Sequence, residues 1–375
     1  RTLRLKKMKF RFLTSGESHG KCLNAIIDGV PSNFKIDEDF INSELKLRQQ
    51  GVGRGGRMKI ENDTIIINSG VRHGLTLGSP ICLEIINNDF KNWEVEMNSK
   101  IQEATEENKT KIQNKFISQV RPGHADFSGA LKYNHNDIRN ILERSSARET
   151  AMRTAVGAVA QLILKPFNIT FESQTVEIGG VDFNEKEKLL ELINYTREKG
   201  DTLGGNFKIT IKNVPIGLGS HVHWDKKLDA LLSSAIMSIG GVKSVEFGLG
   251  HLVADTFGSK THDEIYYENN KIIRNTNNAG GIEGGMSNGE DIVIHASMKA
   301  IPTMKTPLNS IDLNSKEQVK AHFERSDVCA VESCSVVAKN MAAIIIAQQF
   351  LEKFGGDSFC EILNNYNSYL EQIKL

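Results

Sequence analysis

Six short runs rich in Ile and Val punctuate the chain: NAIIDGV (24–30), DTIIINSGV (63–71), SPICLEII (79–86), NFKITIKNV (206–214), VKSVEFG (242–248) and EDIVIHASM (290–298). Their length and β-branched content predict strands. Helical apolar patterns cover 37–49, 146–165, 184–199, 226–238 and 328–354. The two kinds of segment do not alternate regularly, which argues against a doubly wound parallel sheet. The expected class is α+β, with antiparallel sheets packed on helices. No internal repeat, low-complexity stretch or linker divides the 375 residues, so residues 8–375 read as a single domain. EATEENKTKIQNK is polar and suits a helix or an exposed excursion. Residues 1–7 are basic without an apolar segment and read as an extension before Met8.

Composition narrows the function. Lys+Arg and Asp+Glu both number 46, so the net charge is zero, unlike that of a general nucleic-acid binder. No apolar run is expected to span a membrane, which needs roughly 20 residues. The five cysteines are scattered without a CxxC and read as reduced thiols of a cytoplasmic protein. No metal site is expected.

Residues 142–153, LERSSARETAMR, carry a local conflict. Ser146 followed by Glu149 is a capping box, marking a helix N-terminus with partial positive charge. Arg144 and Arg148 flank that cap, where cations are misplaced unless an anion lies between them. Ala147, Ala151, Ala155 and Ala158 then fall near one helix face and permit close approach of another element.

The glycine-rich stretches divide. GVGRGG is a literal GxGxxG, but a helical pattern precedes it and a strand follows, so the dinucleotide-binding reading fails. It reads as a flexible basic loop offering Arg54 and Arg57, with Arg48 just before it, suited to phosphate or carboxylate. NNAGGIEGGMSNGED can lay its backbone against a flat ligand. SIGGVKSVEFGLG is similar. His19 in TSGESHGK and His124 in RPGHADF sit on tight turns, where an imidazole can donate a proton near neutral pH. HFERSDVCA offers Arg325 and Asp327 at the start of the last long helical pattern, with Asp327 placed like an N-cap. Lys299 ends a strand pattern.

Taken together, GESHG, RPGHAD running into ERSSARETAMR, ERSDVC, RQQGVGRGGRM and NNAGGIEGG resemble, in the same order, the segments of the chorismate synthase family. Two departures stand out: LKLRQQ leaves only Arg48 of the family's arginine run, and Lys299-Ala300 replaces its Lys-Pro, with Pro302 displaced. The resemblance implies loss of phosphate and a ring hydrogen from 5-enolpyruvylshikimate 3-phosphate, giving chorismate. It implies a fold with helices sandwiched between two antiparallel β-sheets, a homotetramer, and reduced FMN (FMNH2) as a cofactor not consumed overall. It also implies roles. His124 would protonate departing phosphate, His19 would maintain the flavin's reactive protonation state, and Asp327 would assist deprotonation at the flavin. Arg48, Arg54, Arg57 and Arg148 would bind substrate anions. Arg144, Ser145, Ser146, Gly240, Gly241, Gly284, Lys299, Ala300, Ile301, Pro302, Thr303 and Arg325 would hold flavin. The family includes members that reduce their own flavin with NADPH. No nicotinamide-binding unit is visible here, which favours an external flavin reductase or reduced-flavin source. Two rival readings are a phosphate-releasing enzyme needing no flavin and a polyanion binder using the basic loops. The zero net charge disfavours the second.

Overall fold

The computed structural model describes residues 10–54, 63–324 and 327–374. The first sheet joins β1 (Arg11–Ser15), β2 (Cys22–Asp28), β3 (Ile66–Ser69) and β4 (Ile81–Ile86) in the order β1-β2-β4-β3. The second joins β5 (Thr170–Ile178), β6 (Val181–Asp182), β7 (Gly205–Lys212), β8 (Val242–Phe247) and β9 (Ile292–Met298) in the order β8-β9-β7-β5-β6. Every pairing in both sheets is antiparallel. Alternation sets the buried face: Leu23, Ala25 and Ile27 of β2 point inward with Ile81, Leu83 and Ile85 of β4, while Leu13, Ile26 and Ile86 are exposed.

Between the sheets lie α1 (Glu38–Gln49), α5 (Thr150–Leu164), α7 (Leu228–Met237) and α8 (Val331–Phe354). Helix α5 packs on the first sheet and on α1; α8 packs on β5, β7 and α7; and α5 and α8 pack on each other. One continuous core therefore runs through both sheets and the helices, from Leu83 through Val159 and Ile344 to Ile209. This is the expected α+β sandwich. Helices α2 (Glu106–Lys115), α3 (Asp126–Tyr133) and α4 (Arg139–Ser145) lie in the stretch between β4 and α5, α6 (Lys186–Lys199) follows β6, and α9 (Phe359–Gln372) closes the chain.

Ala151, Ala155 and Ala158 are wholly buried, as the small-residue face requires. The closest approach is at Gly157. A Cβ there would sit 2.4 Å from both the Cβ and the carbonyl oxygen of Asn340 on α8. A polar network pins the same contact. Gln161 Nε2 donates to Asn340 Oδ1 at 2.8 Å, Asn340 Nδ2 donates to Glu44 Oε2 at 2.8 Å, and Lys339 Nζ to Glu44 Oε1 at 2.7 Å.

Several boundaries differ from expectation. Helix α5 begins at Thr150, preceded by a single 3-10 turn, Ala147–Glu149. Ser146 caps that turn, its Oγ accepting from Arg148 N at 3.3 Å, but Glu149 does not close the box: its carboxylate holds Arg153 and Thr14 instead. Helix α8 starts at Val331 without a side-chain cap, so Asp327 is not its N-cap. Helix α8 also corrects the reading that no run approaches a membrane span. It is long and apolar enough for one, yet nearly all of it is buried in the core. Residues 1–7 lie outside the described residues.

Candidate active site

Seven segments of the chain meet at a cavity of 570 Å³, within the usual size of small-molecule sites. His19, His124, Asp327, Arg48, Arg54, Arg148, Arg144, Ser145, Ser146, Gly240, Gly241, Lys299, Ala300, Ile301, Pro302 and Thr303 all line it. Gly284 does not. It sits in the turn of the hairpin Ile282–Glu283/Met286–Ser287, whose backbone is bonded to Leu218 and Leu228. Arg57 and Arg325 lie outside the described residues.

His19 sits in the loop between β1 and β2. The loop turns at Gly16, whose φ of +109° suits glycine and where a Cβ would meet Cys22 O at 2.4 Å. Asn87 Nδ2 ties the far side by donating to Ser18 O and Gly20 O at 3.2 and 2.8 Å. The imidazole stacks on Trp93, with ring centroids 4.0 Å apart. Its Nδ1 lies 2.8 Å from Glu143 Oε1.

His124 sits in the turn before α3, its N–H donating to Arg121 O at 3.3 Å. Asp126, the first residue of α3, organises this turn. Its Oδ2 accepts from Arg121 N and Nε at 3.1 and 2.7 Å, and its Oδ1 lies 2.5 Å from His124 Nδ1. Burial alone would raise the Asp126 carboxyl, but hydrogen bonds from His124 and Arg121 overcome it and hold it well below the usual carboxylate range. An ionised carboxylate only accepts, so Nδ1 carries the hydrogen. Arg121 NH2, 3.0 Å from that nitrogen, therefore bonds Asp126 Oδ1, also at 3.0 Å. Arg121 NH1 donates onward to Thr303 Oγ1 at 2.9 Å.

The arginine conflict of the sequence resolves in two ways. Arg144 belongs to the last turn of α4, where a cation is favourable. It donates to Thr14 O and Gly16 O at 2.9 and 3.2 Å. Arg148 faces a carboxylate that sequence reading missed. Asp63, 3% exposed, accepts from Arg148 NH2 at 3.0 Å and Arg48 NH2 at 2.8 Å. Burial pushes the Arg48 guanidinium below its ordinary pKa and Asp63 pushes it back up. Arg48 Nε is buried without a hydrogen-bond partner among the described residues. Arg48 ends α1 rather than extending into the basic loop.

As far as Arg54, that loop is fastened to the approach to α8. Glu332 Oε1 accepts from Val52 N at 2.6 Å, and Val328 N donates to Gly53 O at 2.9 Å. This sets Arg54 NH1 2.8 Å from Asp327 Oδ2. Opposite, Lys299 Nζ donates to Gly123 O, and burial followed by the nearby Lys243 lowers its pKa. Gly240 has open space where a Cβ would project. Among the described residues, seven Arg or Lys side chains and four Asp or Glu side chains line the cavity. Even with Asp63 and Asp126 behind the wall, cations outnumber carboxylates, which favours an anionic ligand.

Asp126 and Glu143 lay inside segments already singled out and were legible as acids beside a histidine or arginine. Asp63 and Trp93 had no local signal.

The chain matches the family model described as chorismate synthase over residues 10–351. The chorismate synthase of Thermoanaerobacter pseudethanolicus is 55% identical over 365 residues, covering 97% of this chain and 99% of that protein. That of Geobacter metallireducens is 48% identical over 396 residues, with coverage of 97% and 99%. A solved crystal structure of chorismate synthase is 38% identical with a TM-score of 0.77, covering 97% of this chain and 98% of that one.

Proposed function

The chain belongs to the chorismate synthase family, and we propose that the cavity holding His19, His124 and Asp327 is its active site, with reduced FMN as cofactor. The enzyme is a lyase. It eliminates phosphate from 5-enolpyruvylshikimate 3-phosphate in the 1,4 sense and forms chorismate, the final step of the shikimate pathway. The observation that carries the site assignment is the convergence of both turn histidines, Asp327 and the arginines on one cavity.

The residues present fit a flavin. Gly240 leaves open space in the wall, and Arg144, Ser145 and Ser146 face it beside the segment from Lys299 to Thr303. These residues would hold the cofactor, Ser146 and Arg144 serving its phosphate or ring edge. When bound, reduced FMN would supply the electron density that makes loss of the weakly acidic ring hydrogen possible.

The chain's own residues do the rest. Arg48, Arg54 and Arg148 bind the phosphate and carboxylates. His124, its Nδ1 committed to Asp126, donates a proton through Nε2 as the C–O bond to phosphate breaks. The cationic wall stabilises the leaving phosphate. Asp327, 2.8 Å from Arg54 NH1, would serve as the proton acceptor on the flavin side. His19 holds the protonation state on the flavin side.

Reduced flavin comes from an external reductase or other reduced-flavin source, in keeping with a GVGRGG stretch that follows a helical rather than a strand pattern in the sequence. Five free cysteines fit a reducing cytoplasm. The exposed Leu13, Ile26 and Ile86 on the outer face of the first sheet suit association of copies into a homotetramer.

The test is an anaerobic chorismate assay. Turnover should appear only when reduced flavin is added. Undiminished activity after complete flavin removal would sink the cofactor assignment. Normal turnover by His124→Ala and Asp327→Asn would sink the site assignment.

A further inference from the structure

Glu143 opens the ERSSARET segment at the end of α4, with its side chain 2% exposed. It grips the His19 loop at three points. Its carbonyl oxygen accepts from Ser18 N at 3.0 Å, its Oε2 accepts from His19 N at 2.8 Å, and its Oε1 lies 2.8 Å from His19 Nδ1. One helical turn earlier, Arg139 NH1 donates to the same Oε1 at 3.0 Å, while Arg139 NH2 donates to Glu324 Oε1 at 3.0 Å.

Burial alone would raise the Glu143 carboxyl. The His19 ring, the His19 N–H and Arg139 together hold it below its ordinary range. It is therefore an acceptor only, and His19 Nδ1 must carry the hydrogen facing it. Trp93 stacks on the imidazole with 26° between the planes, which opposes the ring flip that would exchange the two nitrogens.

We propose that Glu143 is a positioning residue: it locks His19 in the Nδ1–H form, so that the ring exchanges protons with bound ligands through Nε2 alone. The proposal rests on the reading of His19 as a proton-handling residue. Arg139 is part of the device. Shared between Glu143 and Glu324, it keeps the orienting carboxylate ionised without itself reaching the imidazole nitrogen. The outcome is a histidine with one working nitrogen, at the junction of two loops that also meet through the Ser18 and Ser146 hydroxyls, 3.2 Å apart, and through Arg144 NH1 on Gly16 O.

A glutamine at 143 changes the chemistry while nearly keeping the shape. Its one oxygen can still serve the His19 N–H, and its NH2 then faces Nδ1 as a donor. The ring should respond by moving its hydrogen to Nε2. The experiment is 15N-histidine solid-state NMR on the whole chain, with the His19 signal identified by its loss in His19→Ala. Anaerobic kinetics with reduced flavin run alongside.

The expected wild-type result is a His19 that carries hydrogen on Nδ1 facing Glu143, leaving Nε2 as the nitrogen that exchanges protons. Glu143→Gln should invert that pattern and lower kcat by about 10–100-fold with KM little changed, as when the outer partner of a metal-bound histidine is lost. Glu143→Asp should keep the wild-type tautomer and recover part of kcat. A wild-type His19 with bare Nδ1 overturns the proposal, and this reading needs no variant to fold. Glu143→Gln with wild-type tautomer and kcat also overturns it. An impaired His19→Ala beside a fully active Glu143→Gln overturns the positioning alone, whereas a fully active His19→Ala overturns the proton role of His19 itself.

Discussion

Asp126 Oδ1 lies 2.5 Å from His124 Nδ1 while the same carboxylate accepts from Arg121 Nε at 2.7 Å. Glu143 treats His19 in the same way, with Arg139 as its arginine. Two unrelated turns thus carry one device, an arginine-backed carboxylate on the inner nitrogen of a histidine that faces the cavity. The arginine keeps the acid ionised, and the acid fixes which imidazole nitrogen meets the ligand.

Replacing Asp126 by Asn should therefore impair turnover without emptying the site. A neutral amide cannot balance the charge of the doubly protonated ring that donates through Nε2. The loss should stay within the roughly 10²–10⁴-fold worth of the general acid it orients, and substrate affinity should change little. Stopped-flow measurement of phosphate release checks it. Normal release by Asp126→Asn would free His124 from any need for orientation.

A second prediction concerns the core. Gly157 and Asn340 are in contact with no room for a methyl group. Gly157→Ala should destabilise the fold by about 1–3 kcal/mol, the usual cost of overpacking, despite alanine's better helix propensity. Urea unfolding measures it. A variant as stable as wild type would mean that α5 and α8 can move apart freely.

Acid stability follows from Glu324. Burial would raise its carboxyl, but His322 and Arg139 overcome this and bring it from 4.5 down to about 2. A folded-state value below the unfolded one means that the unfolded chain binds more protons between them. Stability from this group is thus present above about pH 4.5 and is lost as pH falls toward 2. Glu324→Gln should flatten that part of the stability curve. Parallel acid limbs for the two proteins would show that Glu324 does not contribute there.

Helices α1, α5, α6, α7 and α8 and the central strands were legible because their signals are local, whereas α3 (Asp126–Tyr133), α4 (Arg139–Ser145) and α9 (Phe359–Gln372) were missed. The small residues of α5 and the Ile-rich run of β9 (Ile292–Met298) carry their own period. Strand β1 (Arg11–Ser15) was missed because an edge strand with Leu13 exposed need not alternate cleanly. Strand β5 (Thr170–Ile178) was missed because its outward residues, Val176 apart, are polar. In the site, the histidines stood out through their turns, and Asp126 through its neighbour. Asp63 could not. Its partners lie 15 and 85 positions away, and only packing brings α1 (Glu38–Gln49) and the turn before α5 onto it.

Asp63 also makes the sharpest remaining test. It is the buried counter-ion for Arg48 and Arg148, so those two guanidiniums need not both be neutralised by ligand. Asp63→Asn leaves two buried cations facing an amide. Removing one partner of a buried ion pair costs roughly 3–5 kcal/mol, and a loss of that size should appear in urea unfolding. An anion entering the cavity would then replace the missing charge. Inorganic phosphate should raise the Tm of Asp63→Asn more than that of the wild type, and the difference should shrink at high ionic strength. Equal Tm shifts in the two proteins would mean that Arg48 and Arg148 do not face the anion-binding part of the cavity, and the substrate's phosphate would have to be assigned to Arg54 and Lys299 instead.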